Sequence, residues 1–298
     1  MPTLVPEHVP VLLSAVVEGL HLTENNDVID ATLGGGGHTA AMLDVIAPNG
    51  KLLGIEADER TLEETNGSLK KYDSRFTAAH GNFRDLQRIA NDNGFNSVDA
   101  ILFDLGVSSM TIGDPSRGFS FQHDGPLDMR FDPSTQTGTA AEIVNERSAE
   151  ELVTMLQTYG DEWMAPKIVD YLIAQRASQP FTTTLQLADA VAQVKHRRGR
   201  IHPATQVFQA LRIAVNDEYG AIETALPQAL ELLKVGGRIA VITFHSGEDR
   251  LVKQWTKTLA KEKKVSLDNK HVIVAPRQEQ LTNPRSRSAK LRIVTKIS

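Results

Sequence analysis

Four consecutive glycines, Gly34 to Gly37 in the stretch "DATLGGGGHTAAML" (30–43), follow an apolar run ending in an acid and precede a segment with helical spacing. Glycine loses more backbone freedom on folding than any other residue, so such a run persists only where the chain must turn sharply or approach something closely. A strand, a glycine turn and a helix starting at His38 place backbone amides and a helix N-terminus at the carboxyl edge of a sheet. Open α/β sheets bind nucleotides there. "GGGHTA" (35–40) satisfies the GxGxxA fingerprint, and Glu56 follows about twenty residues later, where an acid would hold ribose hydroxyls. Taken alone, the pattern serves NAD(P), S-adenosylmethionine or a tight turn without a ligand. The absence of GKS or GKT after the glycines argues against a phosphate-transferring loop.

The surrounding chain supplies the sheet. "DVIDA" (27–31), "KLLGIEA" (51–57), "FTAAH" (76–80), "VDAILFD" (98–104) and "GRIAVITF" (237–244) read as buried strands. Helical segments at 38–47, 59–72 and 84–93 alternate with the first four, which predicts right-handed crossovers and a parallel sheet with helices on both faces. The rhythm breaks after Asp104. The amphipathic stretch 203–233 is expected to be the crossover helix into the fifth strand, kinked at Pro227. Residues 113–202, a Gly/Pro-rich loop followed by polar helices, are expected to form an inserted helical subdomain between a first part, 1–112, and a second part, 203–298. "HVIVA" (271–275) and "AKLRIVTKI" (289–297) have no crossover helix between them, so they are expected to be antiparallel, with one strand reversed at the sheet edge. The fold expected is therefore α/β, a Rossmann-like class I methyltransferase sheet, mostly parallel with an antiparallel edge strand. The reversed strand and a second acid, Asp104, closing the fourth strand favour the methyl donor over nicotinamide.

No cysteine occurs, which excludes disulfides, thiolate zinc sites and a cysteine nucleophile, and fits a reducing cytoplasm. The first Lys or Arg is Lys51 and no apolar run reaches spanning length, so neither a targeting segment nor a membrane association is expected. The net charge of -5 hides an asymmetry: residues 251–298 hold twelve Lys/Arg against three Asp/Glu. With "KHRRGR" (195–200), this basic end is either solvated surface or a site for a polyanion. The histidines lack metal-ligand spacing and no metal is expected. "FHSGED" (244–249) reads as a helix start capped by Ser246, with Asp249 three residues on, rather than a hydrolase elbow.

"HVPVLL" (8–13), "GGGH" (35–38), "HGNF" (80–83), "DLGVSS" (104–109), "RGFSFQHDGPLDMR" (117–130), "HPATQVFQALRIAVNDE" (202–218), "FHSGEDRLVK" (244–253) and "NPRSRSAKLR" (283–292) occur in order over nearly the whole chain. Together they resemble the bacterial 16S ribosomal RNA cytosine-N4 methyltransferase family, MraW-like and S-adenosylmethionine-dependent. The resemblance implies methylation of one cytidine in the decoding region, with 16S ribosomal RNA in the small subunit as partner; a homodimer is a further expectation. It implies cofactor contacts at Gly36, Gly37, His38, Glu56, Phe83, Asp104 and Thr111. The chain departs from the family pattern at Glu56 (Asp expected), Thr111 (Gln), Gly35 (Arg), Ala31 (Gly) and Gly247 (Leu).

The amine of cytosine is a weak nucleophile because its lone pair is delocalised into the ring. Asp104 is the candidate catalytic acceptor for its hydrogens, the alternative being a contact to cofactor alone. Phe119 and Phe121 would stack on an extruded base beside Arg117, His123 and Arg130, or else pack into the core, with Asp124 and Asp128 pairing to Arg117 or Arg130. Arg198, Arg285 and Arg287, with Lys195, Arg197, Arg200, Lys290 and Arg292, are candidate phosphate contacts. Methylation at cytosine C5 ordinarily needs a cysteine, which this chain lacks. An RNA-binding assembly factor that only holds S-adenosylmethionine and an NAD(P) oxidoreductase remain as alternatives.

Overall fold

In the computed structural model, residues 9–196, 201–269 and 271–298 are described. In chain order, α1 (Leu13–Leu20), β1 (Val28–Asp30), α2 (Gly37–Val45), β2 (Leu52–Glu56), α3 (Glu59–Ser68), β3 (Phe76–His80), α4 (Leu86–Asp92) and β4 (Val98–Asp104) form an alternating series. Six helices follow: α5 (Ser109–Gly113), α6 (Ala140–Glu146), α7 (Ala149–Gly160), α8 (Ala165–Arg176), α9 (Thr184–Val194) and α10 (Thr205–Asn216). The chain then continues as α11 (Glu218–Leu232), β5 (Leu233–Thr243), α12 (Ser246–Lys261), β6 (Val265–Leu267), β7 (Ile273–Val274), α13 (Arg277–Thr282) and β8 (Lys290–Lys296). Two compact units result, one from residues 1–108 with 219–298 and the other from 109–218.

In the first unit the strand order is β3-β2-β1-β4-β5-β8-β6, with β7 also paired to β8. The neighbouring pairs among β1 to β5 are parallel, and β8 is antiparallel to β5, β6 and β7. The reversed strand is therefore internal, and β6 lies beyond it at the edge. The expectation of a reversed edge strand is corrected by β6, whose three residues "VSL" follow a lysine pair and carry too little apolar pattern to read as a strand.

Alternation along the strands separates two cores. Ile29, Leu53, Ile101, Phe103, Ile239 and Val241 meet α4, α11 and α12 on one face. Val28, Leu52, Leu102, Ala240 and Ile242 meet α1 and α2 on the other. Burial on both faces is why these strands read as continuous apolar runs. Asp58 caps α3 by accepting from the amides of Arg60 and Thr61.

The second unit has its own core of Leu127, Leu152, Leu156, Ile168, Leu187, Val207, Phe208 and Leu211, among others. Thr139, Ser148 and Thr183 open α6, α7 and α9 with reciprocal capping boxes to Glu142, Glu151 and Gln186. The amphipathic stretch 203–233 is not one helix. Asp217 adopts a left-handed conformation (φ 45°) and closes α10, whose apolar face belongs to the second core, while α11 serves the sheet. The break falls at Asp217, and Pro227 sits inside α11. Hence the second unit spans 109–218, where the sequence places its limits at 113 and 202. No helix among the described residues is long and apolar enough to cross a membrane.

Ile101, fully buried on β4, and Leu281, 67% exposed, set the scale of packing. Denaturant unfolding is expected to show Ile101→Ala costing about 2–5 kcal/mol and Leu281→Ala within about 0.5 kcal/mol of wild type.

Candidate functional site

The carboxyl ends of β1, β2 and β4 converge on the glycine loop. After Asp30, the Leu33 amide donates to the Ile55 carbonyl (2.9 Å) and the Gly36 amide to the Leu33 carbonyl (2.9 Å), which turns the chain sharply into α2. Gly36 is the helix N-cap, with φ 74°. A Cβ there would lie 2.7 Å from Thr65 Cγ2 and 3.0 Å from Leu69 Cδ1, and one on Gly37 would overlap the Pro10 ring. Much of the close approach that the glycine run demands therefore comes from the chain itself. Gly34 differs: at φ 50°, the nearest atoms to its missing Cβ are 3.8 and 3.9 Å away. Its carbonyl accepts from Thr65 Oγ1 (2.6 Å).

Glu56 ties this loop to β2. Its Oε2 accepts from the Gly34 amide and its Oε1 from the Asp58 amide, both at 2.9 Å. Desolvation pushes its carboxyl up to about 7, against the opposing pull of these amides and with a smaller push from Asp58. Each oxygen keeps acceptor capacity beyond its amide, as ribose hydroxyls would require. Phe83 follows β3 in a short 3-10 turn (Phe83–Asp85) and meets Phe103 edge-on, with ring centroids 5.9 Å apart.

Asp104 closes β4, and its amide donates to Thr32 Oγ1 (2.6 Å). Its Oδ2 lies 3.6 Å from His38 Nδ1, and its buried Oδ1 has no hydrogen-bond partner among the described residues. His38 Nε2 is 3.0 Å from the Val11 carbonyl, which can only accept, so the Nε2 proton points there and Nδ1 faces the acid. Behind Asp104, buried Asp30 accepts from Thr39 Oγ1 (2.7 Å) and the Thr32 amide (3.2 Å). Burial pushes Asp30 up to about 6. It pushes Asp104 up to about 8, reinforced by the charges of Asp30 and Glu248 and opposed by Arg285. An orphaned carboxyl oxygen among further acids fits a cationic ligand, as a sulfonium is.

Sequence reading passed over Asp30 and Glu248 as members of this acidic group. The cap of α12 is His245 with Glu248, and this corrects the assignment to Ser246 and Asp249: the Glu248 amide donates to His245 Nδ1, and Glu248 Oε2 accepts from the Phe244 and His245 amides. The H-x-x-E spacing was the available signal, but histidine is not among the favoured capping types. Asp249 instead pairs with Arg292 (2.8 Å) and Lys290 (3.2 Å), so these two cations are committed within the fold. A Cβ on Gly247 would overlap the Tyr219 hydroxyl, which explains glycine at this position. Arg285 is half-buried in the short turn Pro284–Arg287; burial lowers its pKa, and the charge of Asp104 opposes that shift. Arg287 is exposed and donates to the Gln280 carbonyl (3.1 Å).

The remaining candidates lie in the second unit or outside the described residues. Thr111 is buried in α5. Phe119 stacks on Phe131 (5.6 Å, 14°), and Phe121 packs against Phe208 (4.7 Å) and His202 (4.6 Å). Arg130 forms a two-pronged pair with Asp128 (2.8 and 2.7 Å), and Arg117 donates to the carbonyls of Arg130 and Phe131. Both rings pack on the second core. Of the two arrangements open for 117–130, these contacts make the self-packed loop, whose polar pairs hold it rigid. His123 is exposed. Lys195, expected at phosphate, instead pairs with buried Glu162 and donates to Gln206. His8, Arg197, Arg198 and Arg200 lie outside the described residues.

A mostly parallel sheet with one reversed internal strand, a glycine turn after β1 and acids closing β1, β2 and β4 define a class I S-adenosylmethionine-dependent methyltransferase. The chain belongs to the MraW methylase family, whose model matches residues 6–297. It is 50% identical to ribosomal RNA small subunit methyltransferase H of Thermomicrobium roseum, over 98% of this chain and 94% of the relative. It is 41% identical to the protein of the same name from Carboxydothermus hydrogenoformans, over 98% of each. The crystal structure of a putative rRNA-methylase from Clostridium thermocellum is similar at a TM-score of 0.48 and 14% identity, covering 98% of this chain and 99% of that one.

Two outcomes follow from this geometry. Carboxyls raised above their unfolded values bind protons more tightly in the folded state, so their contribution to stability is complete below about pH 4 and declines as pH rises through their folded values. The unliganded protein is therefore expected to melt lower at pH 8 than at pH 5. Asp104→Asn should flatten that slope and gain about 1–3 kcal/mol at pH 8 by removing a buried charge. Gly36→Ala is expected to cost about 2–3 kcal/mol in urea unfolding from left-handed backbone and crowding, whereas Gly67→Ala, inside α3 with nothing within 4 Å, should gain about 0.5–1 kcal/mol.

Proposed function

We propose that this methyltransferase modifies the exocyclic N4 amine of one cytidine in the decoding region of 16S ribosomal RNA. The observation that carries the reading is the buried Oδ1 of Asp104 at the carboxyl end of β4, which has no hydrogen-bond partner among the described residues. The names of the relatives at 50% and 41% identity supply the substrate class, and the absence of cysteine turns the choice away from C5.

S-adenosylmethionine, when bound, supplies a methyl group on a positively charged sulfur. Gly36, Gly37 and His38 would hold it through the turn and the first turn of α2, Glu56 through the ribose, and Phe83 beside the adenine. Thr111 is the further contact proposed from the family pattern. Asp104 Oδ1 accepts a hydrogen of the cytosine amine, holds the nitrogen in line for displacement, and receives the proton as the new C–N bond forms. Its raised affinity for protons suits that role. No metal is needed, since the leaving thioether is neutral and requires no Lewis acid.

Arg287, Arg198 and exposed His123 are each proposed to contact the RNA, and Arg117, Phe119, Phe121 and Arg130 to shape a loop that binds it. Arg285 belongs with Asp104 rather than with the RNA backbone. The substrate is proposed to be the small subunit, in the cytoplasm, with a homodimer as the working assembly.

Immature small subunits incubated with protein and labelled methyl donor, then digested for nucleoside mass spectrometry, are expected to yield N4-methylcytidine at a single position. Asp104→Asn should lower kcat by about 10²–10⁴-fold. Label in another nucleoside would overturn the substrate assignment, and wild-type turnover by the Asn variant would overturn the role of Asp104.

A further inference from the structure

Methyl transfer to an amine changes the charge inside the site twice. The donor carries a sulfonium that its product lacks, and the amine gives up one proton as it is methylated. The first unit meets this chemistry with an excess of buried acids. Asp104 faces Asp30 from β1 and Glu248 from α12, both almost fully buried, with His38 from α2 and Arg285 from the turn before β8 as its cationic or protonatable neighbours. Glu248 is committed to the α12 cap through Oε2 and is paired through Oε1 with His245 Nε2 (3.0 Å), Asp30 is held by Thr39 and Thr32, and Arg285 loses part of its stabilising hydration to burial. That leaves Asp104 and His38, 3.6 Å apart, as the pair that can hold or release a proton toward the ligand space.

We propose that Asp104, backed by Asp30 and Glu248 and facing His38, makes the site select the charged methyl donor over its neutral product by exchanging one proton for the sulfonium. This deepens the cofactor placement proposed above and rests on it. In the unliganded protein the Asp104–His38 pair keeps a proton because the charges of Asp30 and Glu248 act on a carboxylate that is three-quarters withdrawn from solvent. The Nδ1 of His38 can share that proton, since its Nε2 hydrogen is directed to Val11. Entry of the sulfonium supplies the missing positive charge, and the proton leaves to solvent. On transfer, the N4–C bond forms, the C–S bond breaks with its electron pair staying on sulfur, and the amine proton passes to Asp104. The carboxylate becomes a stronger base at the moment the sulfonium charge disappears, so charge around the acids stays constant through the step. The retained proton then removes the electrostatic attraction that held the donor, which favours product exchange for a fresh donor. The upward shift of Asp104, to about 8, agrees with the geometry.

The test needs no RNA, so it is independent of whether cytosine N4 is the acceptor. Titration calorimetry of the full chain at pH 6.5, in two buffers of different ionisation enthalpy, counts protons exchanged on binding S-adenosylmethionine and S-adenosylhomocysteine. At that pH the α-amino groups of both ligands are already largely protonated. Wild type is expected to release about one proton more with the donor than with the product. Donor affinity should rise by up to about tenfold per pH unit between pH 6 and 8 and then level off, while product affinity stays nearly flat. Asp104→Asn should abolish the difference in proton count. Asp30→Asn, which removes a repelling charge, should shift the rise in donor affinity to lower pH. Equal proton counts for the two ligands in wild type would overturn the proposal, whatever the variants do. A retained difference in Asp104→Asn would overturn the role of that residue. If both ligands fail to bind, the cofactor placement itself falls, an outcome distinct from equal counts.

Discussion

Carboxyl groups held away from water at one end of a parallel sheet are the constraint around which this protein is arranged. Parallel strands all deliver their ends to the same edge, and three of them here end in acids: Asp30, Glu56 and Asp104. Each acid is settled differently. Glu56 satisfies two backbone amides and fixes the glycine turn, Asp30 is held by Thr39 and Thr32, and Asp104 keeps an oxygen without a hydrogen-bond partner among the described residues. The arrangement costs stability in the absence of ligand. It also creates a preorganised place for positive charge, which is the form in which a methyl group is made transferable.

The glycines serve that arrangement less directly than a nucleotide fingerprint implies. Gly36 and Gly37 let α3 and Pro10 close against the turn, so the loop is stiffened by the protein's own side chains, whereas a Cβ on Gly34 would meet only ordinary contacts at 3.8 and 3.9 Å. A rigid loop then presents amides rather than adapting to the ligand. The acid at position 56 illustrates how a departure from a family pattern is absorbed: glutamate reaches the amides of both Gly34 and Asp58 and keeps loop and strand end together. The glycine at 247 is likewise explained by the neighbouring Tyr219 hydroxyl.

What the sequence made legible was whatever rests on local pattern. β3 and β4 coincide with the runs "FTAAH" and "VDAILFD", and the helices near 38–47 and 59–72 fall where apolar spacing put them. The edge strand β6 was invisible because three residues with one buried side chain carry no period. The break at Asp217 was missed because α10 and α11 share an amphipathic rhythm, and only their different cores separate them. Charge was the least readable quantity. Lys195, Lys290 and Arg292 looked like phosphate ligands but pair with Glu162 and Asp249, and Asp30 looked like the end of a strand rather than part of an acidic cluster. Partners distant in sequence decide both cases, and no local window contains them.

A crystal structure of the full chain with S-adenosylmethionine bound tests the central claim most directly, because it locates the sulfonium relative to the acids. The methyl-bearing sulfur is expected beside Asp104, with the ribose hydroxyls on Glu56 and the amides of the glycine turn around the ligand. A ribose held away from Glu56, or a sulfonium remote from Asp104 with that oxygen still unpartnered, would contradict it.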